Sequence, residues 1–81
     1  MELRLTELRD GESGTITSIG SGHGRRFGFR RRLEDMGLTP GTVVTVVKSA
    51  PFRGPLEVLV RGSRLALGRG MTRRIFVKVE R

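Results

Sequence analysis

The chain has 81 residues, 36% of them apolar, with twelve glycines and no cysteine; its core is therefore small, no Rossmann domain or TIM barrel fits, and neither a disulfide nor a thiolate zinc site can staple it. Sixteen basic residues against eight acidic give a net charge of +8, and all the basic residues except Lys48 and Lys78 are arginine, which favours an acidic partner through planar, bidentate contacts. No apolar run approaches the roughly 20 residues that cross a bilayer, and Met1 to Leu5 lacks the apolar stretch of a signal peptide, so a single cytoplasmic domain over 1–81, not membrane-embedded, is expected.

Turn signals recur about every ten residues, the rhythm of a small all-β domain. Leu3-Arg4-Leu5 is the first apolar segment, and Asp10-Gly11 punctuates the chain after it. Thr15 to Ile19 is β-branched and predicts a strand, followed by a glycine loop from Gly20 to Gly24. A helix is predicted over Arg26–Met36, because Phe29, Leu33 and Met36 fall at spacings of four and three and share a face. Gly28 weakens its first turn and argues for a start after that residue. Gly37 suits the left-handed C′ position, and Leu38 can then touch Leu33, as a Schellman cap requires.

Pro40-Gly41 suits the centre of a type II turn. Thr42 to Lys48 is the strongest strand by composition, and Pro51, Gly54 and Pro55 separate it from the next. Leu56, Val58 and Val60 alternate with Glu57, Leu59 and Arg61, so one face can enter a core. Gly62-Ser63 reads as a two-residue type II′ loop, with Arg64 to Leu67 as the return strand. Gly68 to Thr72 is a short turn, and Ile75, Val77 and Val79 alternate in a last strand. The count is five to six short strands and one short α-helix.

The stretch Arg31-Arg32-Leu33-Glu34-Asp35-Met36-Gly37-Leu38-Thr39-Pro40-Gly41-Thr42-Val43-Val44 resembles the centre of the FeoA family, the ferrous iron transport protein A group. Ala50-Pro51-Phe52-Arg53-Gly54-Pro55-Leu56 and Arg61-Gly62-Ser63-Arg64-Leu65-Ala66-Leu67-Gly68, then Ile75-Phe76-Val77, resemble it too, in the family's order and over nearly the whole chain. The resemblance implies an SH3-like small barrel with one helix inserted between strands, a barrel also found at the C-terminus of some metal-dependent repressors. It further implies a cytoplasmic accessory of FeoB, the membrane ferrous iron transporter with a GTP-binding domain, and no enzymatic activity. Ser21 to Phe29 departs from the pattern by being longer and richer in Gly and Arg.

The basic helix carries the most functional information. Arg25 and Arg26 sit near its N-terminus and Glu34 and Asp35 near its C-terminus, opposing the macrodipole preference. The pairs Arg30–Glu34 and Arg31–Asp35 add only about 0.2–0.5 kcal/mol each. Helix stability thus leaves the cluster unexplained; an acidic partner explains it, and the alternative is a solvated face. Phe27 lies off the Phe29-Leu33-Met36 stripe and can anchor an interface, while Phe29 fits beneath the helix. The expected contact is Arg25, Arg26, Phe27, Arg30 and Leu33, with Phe52 in its Pro-flanked loop second.

Other chemistry is poorly supplied. The glycine loop lacks the third glycine of G-x-G-x-x-G and no P-loop occurs, although backbone N–H groups beside Arg25 and Arg26 suit a phosphate or carboxylate. His23 is the sole histidine, so no metal site and no cofactor are expected, leaving open a carboxylate site shared between two subunits. No nucleophile–base set or tuned carboxylate pair is available, although an arginine acting in trans on a bound GTP is chemically allowed. The expected partner is the cytoplasmic side of an FeoB-type transporter. The rival is an Arg-rich nucleic-acid-binding small barrel, against which the absence of Tyr and Trp stands; no stable nucleic acid is expected. A Pro-rich peptide reader fits less well, since such grooves are lined by aromatics. An exposed edge strand leaves a homo-oligomer open.

Overall fold

The computed structural model describes residues 1–20, 27–49 and 54–80, with residues 27–30 given by backbone alone. The strands are β1 (Glu2–Arg4), β2 (Ser13–Ile19), β3 (Val43–Ser49), β4 (Leu56–Val60), β5 (Ser63–Leu67) and β6 (Ile75–Lys78). Helix α1 (Phe27–Asp35) is inserted between β2 and β3, and a single helical turn, α2 (Arg69–Thr72), precedes β6. All pairings are antiparallel, in the order β1-β6-β2-β3-β4-β5. Register shifts in β2 between Ile16 and Ser18 and in β3 between Val46 and Lys48 add local bend and twist, wrapping the sheet around its core.

Strand alternation fills that core. Val44 and Val46 of β3, Leu56, Val58 and Val60 of β4, and Ile75 and Val77 of β6 are all buried, and they meet Ile16 and Ile19 of β2. Leu33 of α1 and Leu38 just beyond it join the same cluster, as do Leu5 and Leu8 from the 3-10 turn after β1 and the residues following it. Gly14 is buried where β2 runs beside β6: a Cβ there would stand 3.0 Å from Val77 Cβ and 3.1 Å from Val79 Cγ1.

The end of α1 follows the local pattern. The Leu38 amide donates to the Leu33 carbonyl at 2.8 Å and the Gly37 amide to that of Glu34 at 2.9 Å. With Gly37 at φ +83°, these are the two bonds of a Schellman motif. The Thr42 amide then donates to the Thr39 carbonyl, and Gly41 has φ +92°, so Pro40-Gly41 forms the expected type II turn.

Three local expectations need correction. The described span of helix α1, Phe27–Asp35, includes Gly28, because packing of Leu33 outweighs the roughly 1 kcal/mol that glycine costs a helix. The β4–β5 loop is Arg61-Gly62, one residue earlier than expected, with φ +50° and +81°, hence type I′. This register sets Leu56 opposite Leu67 and Val58 opposite Leu65, whereas a Gly62-Ser63 loop would leave Leu56 facing Arg69. Finally, Arg69–Thr72 is helical and Gly68 is its extended N-cap: the Met71 and Thr72 amides both donate to the Gly68 carbonyl at 3.0 Å, and Thr72 is buried.

Gly14→Ala is expected to lower stability by about 1–3 kcal/mol, as overpacking does. Gly70→Ala, inside α2 with open space around it, is expected to raise stability by roughly 0.5–1 kcal/mol. Urea-denaturation midpoints of the two variants test both signs.

Candidate docking surface

Two exposed regions bring arginines together with other contact-forming groups. On α1, Arg31 and Arg32 are exposed beside exposed Glu34 and Asp35. Phe27 and Arg30 lie on the same helix. Arg25, Arg26 and Phe52 lie outside the described residues. Leu33 corrects the expectation directly: its exposure is 0%. The spacing that gave α1 an apolar stripe turns Leu33 into the core, so it anchors the helix and is not offered to a partner.

The second region, absent from the sequence reading, is the outer face of β3, β4 and β5. Val43 is 56% exposed and Leu59 is 41% exposed. Leu59 stands opposite Thr45 on one side and Arg64 on the other. Thr45 Oγ1 hydrogen-bonds Ser13 Oγ at 2.6 Å across to β2. Arg64 Nη1 lies 3.3 Å from Glu57 Oε2, an exposed pair of the kind that contributes little. The continuous run Val43 to Val47 hides this face in the sequence. Thr45 was the available signal, because period-two alternation puts Val43 and Val47 on its side.

Arg61 ties this face to the end of α1. Its Nη2 donates to Thr42 Oγ1 at 3.2 Å, and Thr42 Oγ1 in turn lies 3.0 Å from Thr39 Oγ1. Its Cδ passes 3.3 Å from the point where a Cβ on Gly37, just past the end of α1, would stand. Among the described residues, no three His, Cys, Asp or Glu side chains come together to hold a metal ion. Nor is any described helix long and apolar enough to cross a membrane.

A family model described as the FeoA domain matches residues 3–79. The chain belongs to the FeoA family. That family is associated with ferrous iron transport. The chain is 32% identical over 77 residues to the Fe(2+) transport protein A/Fe(2+) transporter FeoB fusion protein of Porphyromonas gingivalis, covering 95% of this chain but only 9% of the fusion protein. A crystal structure of an iron uptake regulatory protein, FeoA, superposes with a TM-score of 0.80 at 36% identity, covering 96% of each chain. The zinc complex of Stenotrophomonas maltophilia FeoA, described as a prokaryotic SH3 domain protein, superposes with a TM-score of 0.81 at 30% identity, covering 94% of this chain and 89% of that one. The six-stranded antiparallel barrel with its inserted helix is thus SH3-like.

Leu33→Ala is expected to cost about 2–5 kcal/mol, as cavity formation at a buried leucine does. Arg61→Asn is expected to leave stability within about 1 kcal/mol of the parent. Relief of the left-handed backbone, where asparagine is better tolerated, offsets a lost hydrogen bond of similar size. Chemical denaturation separates the two roles, and a loss above about 2 kcal/mol for Arg61→Asn would make Arg61 a structural residue.

Proposed function

We propose that the chain is a cytoplasmic accessory of ferrous iron transport that docks on an FeoB-type transporter and turns over no substrate itself. The observation that carries this reading is the Porphyromonas gingivalis relative, named as an FeoA–FeoB fusion in one polypeptide. Fusing two domains raises their effective concentration for one another, an arrangement that benefits partners acting side by side.

Charge gives the docking its physics. A net charge of +8 steers the chain towards an acidic face and raises the encounter rate. Arginine then supplies short-range contacts with carboxylates that lysine cannot make bidentately. The proposed contact is Arg25, Arg26, Phe27 and Arg30, continued along α1 by exposed Arg31 and Arg32, with Phe52 as a second anchor.

Capture of the FeoB cytoplasmic domain by the wild-type chain, compared with Arg25→Glu/Arg26→Glu, tests the reading. Capture by the wild type is expected to fall by at least about tenfold in the double variant, as loss of desolvated interface charges does. Undiminished capture by the variant would move the contact elsewhere, and no capture by either protein would remove the transporter as the partner.

A further inference from the structure

The β4–β5 hairpin leaves an organised row of backbone groups at the end of the sheet. A two-residue type I′ loop closes on a pair that exchanges both backbone hydrogen bonds, here Val60 and Ser63. Along β5 the pattern alternates, so Ser63, Leu65 and Leu67 bond to β4, while the N–H and C=O of Arg64 and Ala66 point away from it. The sheet ends at β5, with no strand paired to its outer edge among the described residues. Arg64 and Ala66 are both exposed, and Leu65 between them is half-buried against the core.

We propose that the outer edge of β5 takes up an extended acidic segment of a partner protein as an added antiparallel strand. The outward groups of Arg64 and Ala66 supply the main-chain hydrogen bonds of strand addition, and alternate side chains supply the selectivity. The incoming residue opposite Arg64 lies on the outer face beside a guanidinium whose side chain is 65% exposed, and a carboxylate suits it. Arg64 can turn to that carboxylate because its existing pair with Glu57 is exposed and screened. The next residue falls opposite Leu65 on the core side, where an apolar side chain extends the buried cluster. The preferred segment therefore alternates acidic and apolar residues.

A second copy of the chain suits this edge less well. Antiparallel self-pairing centred on Leu65 would place the two Arg64 side chains on one face as diagonal neighbours. It would also join two chains of +8 each. A charged edge that opposes its own copy is a common guard against self-association, and the same charge selects an acidic strand. The opposite edge, β1, spans only Glu2–Arg4. This inference goes beyond the transporter reading and does not rest on it, since α1 and the β5 edge are separate surfaces.

The test uses the full chain and a capped peptide of alternating valine and glutamate, with an alternating valine–lysine peptide as control. The glutamate peptide is expected to bind and to slow amide exchange at Arg64 and Ala66 by at least about tenfold, and the lysine peptide is not. Ala66→Pro removes an N–H that makes no bond to β4, a substitution tolerated on edge strands, and is expected to abolish binding. Arg64→Glu, which leaves the backbone unchanged, is expected to weaken binding of the glutamate peptide and to favour the lysine peptide. Unaltered exchange at Arg64 and Ala66, equal binding of both peptides, or β5-mediated dimers formed in preference to the peptide complex would overturn the proposal. Should Ala66→Pro unfold, the exchange map and the Arg64→Glu charge reversal decide alone. Their failure would leave capture of the FeoB domain through α1 unaffected.

Discussion

The left-handed pair Arg61-Gly62 sets the register of β4 against β5, and through β4 that of the sheet's outer half. With this turn, Leu56, Val58 and Val60 all face inward with aligned partners, and Leu59 and Arg64 stand together outside. A shift along the strand would break the Leu56–Leu67 pair and alter which backbone groups reach the edge. Arginine is an uncommon occupant of a left-handed position, where Asn or Gly avoids the steric cost. Here its guanidinium reaches Thr42 and the end of α1, so one residue joins hairpin, helix and outer face.

Around this frame, burial and charge are sharply divided. Among the described residues the core is almost wholly aliphatic; its buried polar residues are Thr42 and Thr72, and each makes a hydrogen bond. Buried polar groups need such partners. Thr72 returns its hydroxyl to the Gly68 carbonyl, while Thr42 receives the Arg61 guanidinium. No charged residue among the described ones is buried, and individual pairs such as Arg64–Glu57 add little to stability. An excess of exposed guanidinium groups therefore has more influence on what the chain meets than on whether it folds. That division suits the proposed docking on an acidic partner.

Most of the fold was legible because its signals are local. The Phe29-Leu33-Met36 spacing placed α1, and Gly37-Leu38 specified its end down to the two capping bonds. Thr39-Pro40-Gly41-Thr42 specified the next turn in the same way. The β4–β5 loop was not legible, because Gly-Ser is itself a good turn sequence and the decision came from the distant Leu56–Leu67 pairing. Gly28 misled for a related reason: propensity is outweighed by tertiary burial of Leu33. The contact surface was less legible than the fold. Leu33 lies on the covered side of α1, since a stripe shows which residues share a face and not whether that face is covered. The exposed Val43–Leu59 face was hidden within an apolar run, with Thr45 its only internal marker.

The central claim is that an FeoA-family barrel with a large positive charge docks by electrostatic attraction on a ferrous iron transporter. Its most direct measurement is the equilibrium affinity of the full chain for the FeoB cytoplasmic domain across a range of salt concentrations. Attraction between exposed charges is screened beyond about 10 Å at 0.1 M salt, so the account predicts measurable binding that weakens steeply as salt rises. Binding that is indifferent to salt, or absent at low salt, would contradict it.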